Sequence, residues 1–148
     1  MAIVDLMGVR LVSVEPDDSV EEAIGRMLEA GIGSVAVCEG PRLVGILTER
    51  DVLRLAGRGA RMDELKVGHV MTTQLVTVDP ADDVLGVARL MSEHRVRHVP
   101  VVHGEHLLGV VAMRDVLDAL AERLFLTHDE GVRETVHELL RRKAPVDA

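Results

Sequence analysis

The sequence predicts a mixed α/β fold of the α+β type. Two β-α-β-β-α repeats pack as a pseudo-two-fold pair, with an extra C-terminal helix. Three observations lead there. The chain is written twice: residues 3–54 align without gaps onto 67–118, and 18 of the 52 aligned positions are identical. Each copy alternates short β-branched runs with segments whose apolar residues recur at helical spacing. Each copy also places Gly, Pro and Asp where strands must turn or helices must start. A repeat of this size buries too little surface to stand well alone, whereas two can close a shared core. The segments read as repeat 1 over 1–56, a linker over 57–66, repeat 2 over 67–120 and a helical tail over 121–148.

In order along each copy, a short strand comes first, Leu11–Val14 and its counterpart Leu75–Val78. Each strand ends at an acidic residue followed by Pro16 or Pro80. Asp18 and Ser19, or Asp82 and Asp83, then offer side-chain oxygens for a helix N-cap. In the first helix Val20, Ala23, Ile24, Met27 and Leu28 form one expected buried stripe; in the second the stripe is Val84, Val87, Ala88 and Met91. A hairpin follows: Ser34–Cys38, a turn at Gly40-Pro41, then Leu43–Leu47. The second copy runs Val99–Val102, a turn across 103–106, then Leu107–Val111. A last helix starts near Glu49 or Met113. In the tail, Thr127 and Glu130 have capping-box spacing. Val132, Val136, Leu139 and Leu140 line one face of a helix, and Arg141-Arg142-Lys143 suits its C-terminal dipole.

Composition removes several classes of function. The only aromatic residue is Phe125, so there is no platform for stacking bases. The formal charge of −8 repels a phosphate backbone, which argues against nucleic acid. No apolar run is long enough to span a membrane, and no signal-peptide pattern opens the chain. Cys38 stands alone, which fits a reducing, cytoplasmic location and a small buried hydrophobe. The methionines read as core filler. Catalysis is not expected: no Ser, His and Asp group at an elbow, and no Gly-rich phosphate loop is present. His94, His98, His103 and His106 do not follow a metal motif, so no metal is expected.

The second strand's exit carries the strongest signal. Gly45-Ile46-Leu47-Thr48-Glu49-Arg50-Asp51 and Gly109-Val110-Val111-Ala112-Met113-Arg114-Asp115 resemble the motif closing each cystathionine-β-synthase-type (CBS) domain. The Val-x-Val strand at 35–37, the Val-Pro-Val strand at 99–101 and the Val-Met-Thr at 70–72 resemble that family too. The likeness spans nearly all of residues 3–118, in the tandem arrangement called a Bateman module. By residue type alone, Thr48 and Asp51 form a capping box, and a carboxylate in a first helical turn meets the favourable end of the helix dipole.

The resemblance implies a regulatory sensor module that binds an adenosine-containing ligand (AMP, ADP, ATP or S-adenosylmethionine) in clefts between the repeats, with no required cofactor. It implies nucleotide-binding positions at Ile46, Thr48, Arg50, Asp51, Arg97, His98, Val99, Pro100, Val110, Arg114 and Asp115. In the family the motif's Asp holds ribose hydroxyls, its Thr lies near ribose or phosphate, and basic residues before the first hairpin strand face phosphates. Ala112 departs from that pattern, because Asp115 has no hydroxyl partner there. Repeat 2 carries Arg95, Arg97, His98 and Arg114 where repeat 1 has Gly31, Gly33, Ser34 and Arg50. A solvated rim with local ion pairs would explain such a cluster, and so would phosphate recognition. The resemblance further implies a homodimer joined through helical faces as a flat disc, acting on a separate, unidentified target protein. The competing expectation is a structural dimerisation scaffold with no required ligand.

Overall fold

The computed structural model describes residues 1–7, 11–126 and 130–141, apart from the side chains of 125, 126, 139 and 140. Among the described residues, five strands and six helices follow one another: β1 Ser13–Val14, α1 Val20–Ala30, β2 Ser34–Glu39, β3 Arg42–Thr48, α2 Glu49–Gly57, α3 Val67–Val70, α4 Val84–His94, β4 His98–His103, β5 His106–Ala112, α5 Met113–Leu126 and α6 Glu130–Arg141. Helix α3 is an addition to the expected β-α-β-β-α order. A 3-10 turn covers Ile3–Leu6. The fold is of the mixed α+β type.

Local chemistry explains the boundaries. Ser19 caps α1, its hydroxyl accepting from the Glu22 N–H at 3.0 Å. Asp83 caps α4 by accepting from the Leu85 N–H at 3.0 Å. Gly31 ends α1 in the left-handed region (φ 65°), where glycine meets no Cβ penalty. The outgoing strands are shorter than expected. β1 has two residues, paired parallel to β2 through Ser13↔Ala36 and Val14↔Val37. Its counterpart in repeat 2 is reduced to a single bridge, Val78↔Val101.

The chain divides into two compact units whose membership differs from the consecutive segments set out above. One unit joins residues 9–75 with 102–109; the other joins 1–8, 76–101 and 110–148. In the first, β2 and β3 form an antiparallel hairpin from Ser34↔Thr48 to Glu39↔Arg42, with a register shift at Val37/Cys38. The β4–β5 turn joins this unit through the Arg42↔His106 pair and the Leu107 N–H bond to the Pro41 carbonyl at 3.1 Å.

Each unit contains the lead-in of the other repeat. In the first, α3 sits against the α1 entrance: the Val67 N–H reaches the Asp18 carbonyl and the Gly68 N–H the Pro16 carbonyl, both at 2.8 Å, while the Val20 N–H reaches Leu65. In the second, 64 residues away at every partner, the Ile3 N–H reaches Asp82, Val4 reaches Pro80 and Val84 reaches Met1. A lead-in therefore finds its backbone acceptors in the opposite repeat. A Cβ at Gly68 would lie 3.0 Å from Pro16 Cβ and 3.1 Å from its carbonyl oxygen, a tight contact.

Both cores are aliphatic. Val14, Val20, Ala23, Met27, Val35, Val37, Leu47 and Val67 form one, and Met62 and Leu65 of the connecting segment pack against it. The other runs from Ile3 through the buried faces of α4 and α5 to Val132 of α6. The stripe expected on α4 is buried in full, but that on α1 is not. Val20, Ala23 and Met27 are buried while Leu28 is 78% exposed. Nothing among the described residues covers the outer side of α1, and helical periodicity alone cannot report that. The Thr127 capping box lies outside the described residues, as do Arg142 and Lys143 and the side chains of Leu139 and Leu140.

Candidate functional site

The candidate residues fall into two groups, one in each unit. The first lies where β3 hands over to α2. Thr48 holds extended geometry (φ −110°, ψ 161°) and caps α2. Its N–H and its hydroxyl both donate to Asp51 Oδ2, at 3.0 and 3.1 Å. The Asp51 N–H donates back to Thr48 Oγ1 at 3.3 Å. The box is thus reciprocal, and both of its bonds to the carboxylate land on one oxygen. Asp51 Oδ1 has no hydrogen-bond partner among the described residues. A half-buried carboxylate fixed by one oxygen presents the other as an acceptor of set direction.

Two neighbours support this corner. The Glu49 N–H donates to the Gly33 carbonyl at 2.9 Å, pinning the start of α2 to the loop after α1. Ile46 is buried, and its backbone exchanges two bonds with Thr72, at 3.0 and 2.9 Å. That close approach explains Gly45, where a Cβ would overlap the Met71 side chain and lie 3.1 Å from the Thr72 carbonyl oxygen. The sequence placed Gly45 and Thr72 in motifs resembling the family but did not show that they meet. A lone glycine inside a β-branched run was the available signal. Arg50 is exposed and makes no ion pair among the described residues.

The second group lies where β5 hands over to α5. Among the described residues Asp115 Oδ2 accepts only the Ala112 N–H, at 3.4 Å, since residue 112 has no hydroxyl to add a second bond. The carboxylate is exposed and held more weakly than Asp51. The Met113 N–H donates to the Arg97 carbonyl at 2.7 Å, repeating the Glu49–Gly33 contact. This bond ties the Arg97 backbone to the first residue of α5, the helix that carries Arg114 and Asp115. Both arginines are exposed and unpaired among the described residues. His98 is half-buried, Val99 and Pro100 are buried, and Val110 is partly buried. The Pro100 carbonyl accepts the Val78 N–H at 3.0 Å, so its backbone is already engaged.

The loop before β4 holds one residue that propensity disfavours. Arg95 ends α4 at φ 55°, ψ 38° and is the one non-glycine residue with positive φ among those described. Its counterpart, Gly31, takes the same conformation without strain. Among the described residues, no group of three or more His, Cys, Asp or Glu side chains is arranged to hold a metal ion.

The sequence model for the CBS domain matches residues 3–58 and again 67–122, together most of the chain. The chain belongs to the CBS-domain family. The CBS domain-containing protein YhcV of Bacillus subtilis is 33% identical over 116 residues, covering 78% of this chain and 82% of YhcV. An uncharacterised 33.4 kDa protein of Thermofilum pendens is 39% identical over 119 residues. That match covers 79% of this chain but only 39% of the relative. Among solved structures, the CBS domain protein PAE2072 of Pyrobaculum aerophilum, complexed with AMP, superposes with a TM-score of 0.74. It is 25% identical, over 82% of this chain and 99% of its own. The tandem CBS repeats and their mixed α+β fold are thereby established.

Proposed function

We propose that the chain is a regulatory sensor that binds an adenosine-containing ligand and acts on a separate partner protein. The observation that carries this reading is the Asp51 carboxylate. Thr48 holds it by one oxygen and leaves the other with no hydrogen-bond partner among the described residues, at the closing motif of a CBS repeat. Adjacent ribose hydroxyls are donors that match such an acceptor. Thr48 and Asp51 are assigned to the sugar in repeat 1, and Asp115 takes the same part, more weakly, in repeat 2. Arg97 and Arg114, with His98 and Arg50, are assigned to phosphate. Ile46, Val99, Pro100 and Val110 supply apolar surface for the base. The AMP in the Pyrobaculum relative supports the ligand class, and AMP, ADP, ATP and S-adenosylmethionine remain the panel to test. Neither group offers a nucleophile with a base among its described residues, which favours binding over catalysis. Among the described residues no helix is long and apolar enough to cross a membrane. The buried free thiol of Cys38 accords with a reducing, cytoplasmic setting.

Calorimetry and thermal melting with that panel test the proposal. At 100 times its dissociation constant a ligand adds about 2.7 kcal/mol of stability. No heat and no shift with any member would overturn the reading in favour of a ligand-free dimerisation scaffold.

A further inference from the structure

Positive charge is unevenly settled in repeat 1. Over residues 11–66, Arg26 holds Glu22, Arg42 holds Glu39, Arg61 holds Asp63 and Glu64, and Lys66 holds Asp17, each within 3.4 Å. The other Lys or Arg side chains of that stretch are Arg50, Arg54 and Arg58. All three are exposed, and none has an ion pair among the described residues. They stand four residues apart along α2 and onto its C-cap. One face of the helix therefore carries three arginines, each about 6 Å further along the axis. The fold does not demand this stripe. Its counterparts 64 residues on are Arg114, Asp118 and Glu122, so α5 has no such run of like charge. The helix dipole favours Arg54 and Arg58 near the C-terminus, yet it disfavours Arg50 in the first turn. Like charges at this spacing also repel, at a cost of about 0.2–0.5 kcal/mol per pair.

The surroundings indicate what kind of anion suits the stripe. Nearby carboxylates are engaged elsewhere: Asp51 by Thr48, and Asp63 and Glu64 by Arg61. Leu53, 73% exposed, flanks the arginines. Gly57 leaves open space one turn further on, because a Cβ there would meet nothing within 4 Å. An inorganic anion has no use for an exposed leucine. The formal charge of −8 and the single aromatic residue argue against nucleic acid. A second helix with Asp or Glu at the same four-residue spacing matches the stripe. Each guanidinium can then take a carboxylate through two parallel hydrogen bonds. An apolar side chain of that helix would cover Leu53 and enter the space at Gly57.

We infer that the arginine stripe of α2 is a docking site for an acidic, amphipathic helix of a different protein. The inference rests on the proposed action on a separate partner and names the chemistry that partner presents. Arg54 and Arg58 lie outside the nucleotide assignment. A chain that binds no nucleotide therefore leaves this inference standing, and a chain that docks no acidic helix leaves the nucleotide reading standing.

Fluorescence anisotropy of the full chain with a labelled helical peptide tests it. The peptide carries three Glu residues four positions apart with a leucine beside them, and its scrambled isomer is the control. The ordered peptide is expected to bind and the scrambled one to bind far less. Arg54→Glu/Arg58→Glu, with folding confirmed by circular dichroism, should lose about tenfold in affinity. A peptide with Lys in place of Glu should bind that variant and not the wild type. Arg54→Gln/Arg58→Gln, the milder change, should lose affinity in the same direction and serves where the reversal does not fold. Absence of binding by the ordered peptide would overturn the inference. Equal binding of the ordered and scrambled peptides would overturn it as general attraction for polyanions, and so would a Lys peptide that fails to recover the reversed variant. Light scattering in parallel checks the remaining occupant: a reversed variant smaller than the wild type would overturn the inference by placing a second copy on the stripe.

Discussion

At the scale of single residues, the two motif aspartates make an internal comparison. Asp51 is tied to Thr48 by three hydrogen bonds, whereas Asp115 keeps one long bond to the Ala112 N–H. Asp51→Ala removes both a cap and the proposed ribose acceptor. It should cost about 0.5–2 kcal/mol of stability and about 1–3 kcal/mol of nucleotide affinity. Asp115→Ala should cost less of both, which melting curves and calorimetry on the pair of variants can read. Equal losses would refute the ranking. Arg95 makes the opposite case. Because the left-handed conformation penalises a side chain, Arg95→Gly should stabilise by about 1 kcal/mol, raising Tm by roughly 2–4 °C. A lower Tm would show that the arginine side chain contributes more than its backbone costs.

At the scale of elements, α2 presents two contrasting sides. Asp51 and Leu53 are two residues apart, so they point roughly 200° from one another around the helix. One belongs to the proposed ligand position and the other is exposed. If bound nucleotide shifts α2, then saturating AMP should change the dissociation constant of the homodimer that the family resemblance implies. Dimerisation must then change AMP affinity by the same factor, about 5–150-fold for couplings of ordinary size. Sedimentation with and without AMP measures this, and identical constants would separate binding from assembly. β3 carries a second constraint, since Gly45 leaves room for Met71 and Thr72. Gly45→Val should therefore destabilise by about 1–3 kcal/mol through overpacking, a value denaturant unfolding can check.

At the scale of the whole molecule, two titrations bound the stability profile. At Asp83 partial burial opposes ionisation, but three partners outweigh it: the Leu85 N–H, the Met1 ammonium at 3.3 Å and the Arg123 guanidinium at 3.9 Å. They hold the carboxyl below its usual range. Its folded pKa is thus lower than its unfolded one, so its contribution is present above the unfolded value of about 4 and lost as pH falls below it. Burial pushes the Cys38 thiol up. Its contribution is complete below the unfolded value of about 8.5 and lost as pH rises towards the folded one. Melting temperature should therefore fall on both the acid and the alkaline side, less steeply in acid for Asp83→Asn and in alkali for Cys38→Ala. Profiles unchanged by either substitution would refute these assignments.

The repeat, the order of its elements, the caps at Ser19, Asp83 and Thr48 and the α4 stripe were legible in the amino-acid sequence. Each depends on residues within a few positions of one another, where helical and strand periodicity and side-chain-to-backbone bonds act. The Thr48–Asp51 box was legible for the same reason. What tertiary structure decided was every property set by a distant partner. The lead-ins at 3–6 and 67–70 cross between repeats because their acceptors, Asp82 and Asp18, belong to the other copy. Leu28 has the spacing of a core residue but lies in the open, whereas helix α6 packs on α4 and α5. Arg97 is tied to Met113, at the start of α5, by one backbone bond spanning a hairpin. Periodicity determines which face of an element is apolar; only long-range packing determines what, if anything, that face meets.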